Sequence, residues 1–271
     1  MMRIGSSVVL LLVLLGVTVV ARPIVAGATD APDGLRVPIL AYHRFGPVVA
    51  DAMTVTTATF ESHLRQLAEG GYTVIPLRRL VDSLRGDAPP LPARAVVLTA
   101  DDGHRSVYGE MYPLVRRFQV PVTLFIYPSA ISRADYALTW EQLRELRDSG
   151  LFEVQSHTLW HPNFRTEKRR LSAAEYDALV TTQLERSRAM IQRHLGGGVD
   201  MLAWPFGIYD PDLLTRAARA GYVAAVTLDA RPAGRGDDVM ALPRYLMTER
   251  ARGSAFARLL AAPARPVQRQ R

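Results

Sequence analysis

Short apolar runs alternate with helix-patterned stretches along nearly the whole chain, and that alternation restricts the fold more than any other feature of the sequence. Val37-Pro38-Ile39-Leu40-Ala41-Tyr42 reads as a strand, and Phe60, Leu64 and Leu67 then recur at helical spacing up to the break Gly70-Gly71. Residues 72–76 predict a second strand and residues 77–84 a short helix. After Pro89-Pro90 the run Ala95-Val96-Val97-Leu98-Thr99 is continuously apolar, as strands buried on both faces are. A helix over 111–118, a strand over 120–127 and a short strand over 152–155 follow. Thr139-x-x-Gln142 and Ser172-x-x-Glu175 fit capping boxes that open two further helices. Strands over 201–204, 222–227 and 241–246, with a helix over 211–220, complete the series. Strands that alternate with helices call for a parallel sheet covered by helices. Seven or eight such units in about 230 residues predict a closed or nearly closed α/β barrel forming a single domain.

The ends read differently. Met1 to Arg3 carry positive charge, residues 4–20 are uncharged and rich in Val and Leu, and the small residues Ala26-Gly27-Ala28 follow. This is the pattern of a secretory signal peptide over residues 1–28. An uncleaved anchor is the alternative, although the apolar run falls slightly short of the ~20 residues that span a bilayer. Either way the rest of the chain is exported, to the periplasm or beyond, with membrane contact only through that segment. Residues 29–36 form a polar leader, 37–260 the catalytic-size domain, and 261–271 a flexible basic tail. The 271 residues contain no cysteine, which excludes disulfides, thiolate metal sites and cysteine nucleophiles. Any metal must therefore be held by His and carboxylates. The net charge of +7 comes from 33 basic residues of which only Lys168 is lysine. No basic run interleaves with aromatics, so nucleic acid is not an expected partner.

In parallel α/β folds the side chains just past the C-terminal ends of strands converge on the active site. Three segments place unusual polar groups at such points. Thr99-Ala100-Asp101-Asp102-Gly103-His104 puts two adjacent carboxylates at the end of a buried strand, at a cost in repulsion and desolvation. Asp-Gly is also a common turn pair, so this segment alone decides nothing. Ser156-His157-Thr158-Leu159-Trp160-His161 spaces two histidines i and i+4, able to face one way on a helical turn and grip one cation. Two imidazoles and one carboxylate leave coordination positions open for water and substrate, which is a catalytic rather than a structural arrangement. Ala203-Trp204-Pro205-Phe206-Gly207 ends a strand in a turn that can offer backbone N–H groups to an oxyanion.

Asp-Asp-Gly after a strand, then Ser-His-Thr-x-x-His, then a Pro-aromatic-Gly turn resembles the polysaccharide deacetylases, also called the NodB-homology or carbohydrate esterase family 4 domain. The resemblance spans about residues 37–246 and implies a distorted (β/α) barrel. It implies Asp101 as the catalytic base, and Asp102, His157 and His161 as ligands of a divalent metal, zinc first, with cobalt, nickel or iron as alternatives. Three departures stand out. Ala100 replaces the family's Phe, Ala203 replaces an Arg that orients the catalytic Asp, and no His follows His194 to serve as the late general acid. Val37 to Phe45, with His43, is similar to the N-terminal strand of the poly-β-1,6-N-acetylglucosamine N-deacetylase branch, in which an early His is the acid. Leu242-Pro243-Arg244 resembles a late segment of the same branch, so Arg244 becomes the candidate guanidinium beside Asp101. His63 and His194 read as structural or solvated.

The implied reaction is metal-dependent hydrolysis of N-acetyl groups on an amino-sugar polysaccharide. Phe206 is expected to supply the oxyanion N–H, and Trp204, Pro205 and Phe206 to contact substrate. Trp140 and Trp160 read equally as core residues or sugar-stacking rings. Peptidoglycan, chitin-like oligomers or a lipid-linked formamido sugar are alternative substrates. A catalytically inactive carbohydrate-binding relative is the alternative from another class, favoured by Ala100 and Ala203 and opposed by the intact base and ligand set.

Overall fold

The computed structural model describes residues 36–261, so the expected signal segment and most of the basic tail lie outside the described residues. Eight strands build the main sheet: β1 (Ile39–Tyr42), β2 (Thr73–Val74), β3 (Ala95–Ala100), β4 (Val122–Ile126), β5 (Phe152–Ser156), β6 (Met201–Ala203), β7 (Ala224–Val226) and β8 (Tyr245–Leu246). Around them lie α1 (Thr57–Glu69), α2 (Leu77–Arg85), α3 (Tyr112–Phe118), α4 (Trp140–Asp148), α5 (Phe164–Arg170), α6 (Ala173–Thr181), α7 (Ser187–Leu195), α8 (Pro211–Arg219) and α9 (Ser254–Leu260). The order across the sheet is β7-β6-β5-β4-β3-β1-β8, with β2 also paired to β3, and every one of these pairings is parallel.

The ring closes through residues 242–247. Leu242 bridges Val226 at the edge of β7, and four residues later Leu246 pairs with Ala41 of β1. A continuous strand over 241–246 is the expectation that fails here. The chain makes a 3-10 turn over Val239–Ala241 and regains strand pairing only at Tyr245–Leu246. Pro243 has no N–H to give a ladder, and the segment must step from one sheet edge to the other. The result is a distorted (β/α) barrel in one domain. Elsewhere the expected strands are present with shifted ends: Ala95–Ala100 and Phe152–Ser156 run one residue further than expected, the others are one to three residues shorter, and the capping boxes at Thr139 and Ser172 both form.

Side chains alternate about the strands as a two-sided sheet requires. Ile39, Val97, Phe125, Met201, Ala203, Ala224 and Val226 fill the barrel interior. Their neighbours Leu40, Tyr42, Val96, Leu98, Ala100, Leu124 and Ile126 pack outward against helices. By the same alternation Thr99 and Asp101 follow Val97 on the interior side. Ala100 therefore faces the helix layer, away from the carboxylate that follows it. His63, on α1, is fully buried rather than solvated, since α1 turns its apolar face and this imidazole toward Tyr42 and Phe256.

Candidate active site

The site is assembled from chain segments that leave the C-terminal ends of strands. Asp101 and Asp102 follow β3, His157 follows β5, and the Trp204–Gly207 turn follows β6. Asp102 and Gly103 both adopt left-handed backbone, at φ 71° and 68°, which swings Asp102 out of the strand direction while Asp101 stays in it. Gly103 is required twice over. A Cβ there would sit 3.0 Å from Ile126 Cγ2 and 3.1 Å from Ile131 Cδ1, in a backbone region that side chains disfavour.

Asp101 is buried, and the guanidinium of Arg244 grips it bidentately, with Nη1 to Oδ1 at 2.8 Å and Nη2 to Oδ2 at 2.6 Å. Arg244 is itself without exposure. Its Nε donates to the Thr227 carbonyl and Nη1 also donates to Thr99 Oγ1, which in turn donates to the Leu40 carbonyl. The guanidinium also lies 5.6 Å from the centre of the Phe125 ring. Burial alone would raise the Asp101 pKa, but the charge and hydrogen bonds of Arg244 outweigh it and hold the carboxyl well below the usual carboxylate range. Ala203 sits in the same interior layer, so the guanidinium comes from the closing segment and not from the end of β6.

His157 Nδ1 lies 2.8 Å from the Ala203 carbonyl. A carbonyl only accepts, so Nδ1 carries the proton and Nε2 presents a lone pair. That Nε2 is 3.6 Å from Asp102 Oδ1, and His161 Nε2 is 3.8 Å from the same oxygen. The loop between the histidines is not helical. Thr158 and His161 take φ of 65° and 62°, and this pair of left-handed residues brings the rings together in place of a helical turn. Burial, then the nearby His157, lower the His161 pKa to about 4, so that imidazole is neutral at pH 7.

These donors fit a divalent cation. Ligand bonds of about 2.0–2.2 Å put neighbouring donor atoms roughly 3–3.5 Å apart. The three donor atoms of Asp102, His157 and His161 lie within 4.8 Å of one another, the one such cluster among the described residues.

His43 follows β1, is 9% exposed, and its Nδ1 is a buried atom with no hydrogen-bond partner. Burial lowers its pKa, while Asp101 and Asp102 act to raise it. Phe206 projects into solvent at 56% exposure with its backbone at φ 57°, and its ring meets that of His161 at 4.5 Å. Gly207 follows at φ 67°, where a Cβ would lie 3.0 Å from Leu228. Trp204 needs correction as a substrate contact. It is fully buried, its indole N–H donates to the Met240 carbonyl, and its ring packs near Phe164. Pro205 is buried as well, which leaves Phe206 as the part of this turn open to a ligand. Trp140 stacks on His194 at 4.0 Å between α4 and α7, whereas Trp160, beside His161, is 43% exposed.

Several residues of this site carry no obvious mark in the sequence. Tyr127 stands 5.5 Å from the His161 ring and bonds Tyr136 through their hydroxyls. Gln183 and Ser187 reach the histidine loop from the buried stripe Val180, Leu184, Ile191, Leu195. Polar residues on an otherwise apolar helical face were the available signal for those two.

The polysaccharide deacetylase family profile matches residues 88–225, which takes in both carboxylates, both histidines and the Trp204–Gly207 turn. This chain belongs to the polysaccharide deacetylase family. It is accordingly a hydrolase of the deacetylase class, and deacetylases of this family depend on a metal. The chain is 26% identical to a poly-β-1,6-N-acetyl-D-glucosamine N-deacetylase of Escherichia coli K12 over 80% of its own length, but it spans only 37% of that protein. The Staphylococcus aureus MRSA252 protein of the same name is 22% identical over 73% of this chain and 69% of its own. Among solved structures, IcaB from Ammonifex degensii superposes with a TM-score of 0.74 at 24% identity, covering 86% of this chain and 98% of that one. The Streptococcus pyogenes deacetylase PplD, solved with acetate, gives 0.74 at 23% identity, covering 84% and 99%. At those identities the two structures speak for the fold.

Proposed function

We propose that this deacetylase removes N-acetyl groups from a poly-N-acetylglucosamine glycan outside the cytoplasm, of the kind that builds a cell-surface or biofilm matrix. The observation that carries the reading is the Asp102–His157–His161 triad standing beside an arginine-clamped Asp101 and the unpartnered ring nitrogen of His43. The names of the E. coli and S. aureus relatives support the glycan. Residues 1–28 act as an export signal in this reading, cleaved or kept as an anchor; among the described residues no helix is long and apolar enough to cross a membrane.

Asp102, His157 and His161 hold a divalent cation, most readily zinc. When bound it supplies Lewis acidity toward the acetyl carbonyl and acidifies water in the site. The remaining work belongs to the chain. Asp101, ionised and held in plane by Arg244, accepts the proton of the attacking water. The backbone N–H of Phe206 donates to the oxygen on which negative charge develops. The C–N bond then breaks toward an amine, a poor leaving group unless protonated. His43 supplies that proton, and acetate and a glucosamine unit depart. Because burial lowers its pKa, the His43 imidazolium is a strong acid once formed.

The test is acetate release from the purified chain on β-1,6-linked N-acetylglucosamine oligomers, with chitin and peptidoglycan fragments in parallel, each with and without Zn²⁺, Co²⁺ or Ni²⁺. Metal-dependent release on the β-1,6 series, lost in His157→Ala, is expected. Release confined to another polymer keeps the mechanism and replaces the substrate. No release from folded, metal-loaded protein turns the reading to a carbohydrate-binding relative.

A further inference from the structure

The loop that carries His157 and His161 cannot hold its shape unaided. Thr158, β-branched, and His161 both occupy left-handed backbone, a conformation that costs about 1–3 kcal/mol per residue and persists only where surroundings over-determine it. Its own bonds run from His161 N to Thr158 Oγ1 and from Thr158 N to Ser156 Oγ, both at 3.2 Å. Two N–H groups remain, those of Leu159 and Trp160, and neither finds a carbonyl. Both donate instead to one atom, Oε1 of Gln183, at 3.1 and 3.0 Å.

Gln183 is 1% exposed and lies in the π-helical turn Thr182–Arg186 that joins α6 to α7. One turn on, Ser187 Oγ donates to the Thr158 carbonyl at 3.0 Å, so the same helical face fixes the loop from both its donors and its acceptors. Two converging backbone donors require the amide oxygen, which settles the orientation of the side chain. The Gln183 amide nitrogen is left buried with no partner. An unmet buried donor is a standing cost of about 1–3 kcal/mol, and an apolar side chain of the same volume on this stripe would avoid it. The residue is thus poorly suited to the core it occupies and well suited to the loop it touches.

We infer that Gln183 is a positioning residue for the metal ligands: by gathering the Leu159 and Trp160 N–H groups it fixes the approach of His161 to Asp102 and His157, and so sets the affinity of the triad for its cation. The inference rests on the metal reading of the triad. It goes beyond that reading in assigning control of affinity to a residue that touches neither the cation nor the substrate. Groups that orient metal ligands typically account for 10–100-fold in affinity.

The experiment titrates Co²⁺ and Zn²⁺ into the full chain and into Gln183→Met and Gln183→Glu, following the Co²⁺ absorption bands and the unfolding midpoint. Gln183→Met keeps the volume and removes the acceptor; it should bind Co²⁺ 10–100-fold more weakly with an altered band shape. Gln183→Glu restores an acceptor oxygen and should recover most of the affinity. Wild-type affinity and spectrum in a folded Gln183→Met overturn the inference while leaving the metal reading intact. No Co²⁺ or Zn²⁺ binding by the wild-type chain overturns the metal reading itself, and the inference with it. Amide exchange on the unmodified chain needs no variant: the Leu159 and Trp160 amides should exchange slowly although the Trp160 side chain is exposed. Rapid exchange at both shows that Gln183 does not hold them, and overturns the inference even if Gln183→Met fails to fold.

Discussion

In the proposed mechanism Asp101 and Arg244 form the pair on which the chemistry and the stability of the barrel mouth both turn. Neither is solvated, and the two bonds between them satisfy the carboxylate in its ionised form. Replacing Asp101 by Asn should lower acetate release by about 10²–10⁴-fold, the span of a lost acid–base group, with Co²⁺ binding retained. Binding lost along with activity would place Asp101 among the ligands instead of beside them. Arg244→Met should cost about 3–5 kcal/mol at pH 7, because it leaves a carboxylate buried without its counter-charge. The pH dependence should also change sign. In the wild-type chain the Asp101 pKa is held below its unfolded value, so its contribution is full above about pH 4 and lost as the pH falls further. Without Arg244 burial raises that pKa, and lowering the pH then relieves the strain of the buried charge. Urea unfolding of both proteins at pH 7 and pH 5 reads this directly, and an equal stability gap at the two values would rule it out.

At the scale of elements, tight turns at the strand ends decide where the candidate ligands point. Gly103→Ala forces a Cβ against Ile126 and Ile131 in left-handed backbone and should cost about 1–3 kcal/mol. Metal affinity should fall more than stability alone explains, since Asp102 shares the turn. An unchanged Co²⁺ titration would show that the turn adjusts around the extra methyl. These turns also mark the boundary of what the sequence discloses. Ala95-Val96-Val97-Leu98-Thr99 could be read as a buried strand because two-sided burial leaves a continuous apolar run, and Thr139 and Ser172 announced helix starts by local chemistry. The Asp-Asp-Gly and His-x-x-x-His segments stood out because such polar groups rarely follow buried strands. Residues 157–161 depart from the helical turn that i and i+4 spacing allows, since that spacing is silent about backbone, and the left-handed Thr158 and His161 are held by bonds within the loop together with tertiary bonds from Gln183 and Ser187. Trp204 departs from its expected contact with substrate for a related reason. An aromatic beside a Pro-aromatic-Gly turn can face either way, and burial under Phe164 and the Met240 carbonyl is fixed by packing far along the chain.

At the scale of the whole molecule, the barrel is joined to its C-terminal helix at His63. The imidazole stacks on Phe256 of α9 at 4.0 Å and bonds the Ala251 carbonyl through Nε2. Since that carbonyl only accepts, Nε2 carries the proton, and Nδ1 accepts from the Tyr42 hydroxyl at 3.0 Å. One neutral ring thus ties α1, the end of β1 and the last helix together, one residue before His43. Burial pushes its pKa down to about 4, against the pull of the Ala251 bond. The unfolded chain, with an ordinary histidine near 6.5, takes up a proton that the folded chain refuses. His63 therefore stabilises the fold fully above about pH 6.5, and the contribution drains away as the pH falls from there toward 4, a change of about 3 kcal/mol. Other groups titrate in the same window, so the comparison is with His63→Gln, which can still donate to Ala251 but does not ionise. Urea unfolding from pH 7 to pH 4 should show the wild-type chain losing about 3 kcal/mol more than the variant. Parallel curves would mean that the C-terminal helix detaches before His63 is protonated, and that the connection to β1 is made by apolar contact alone.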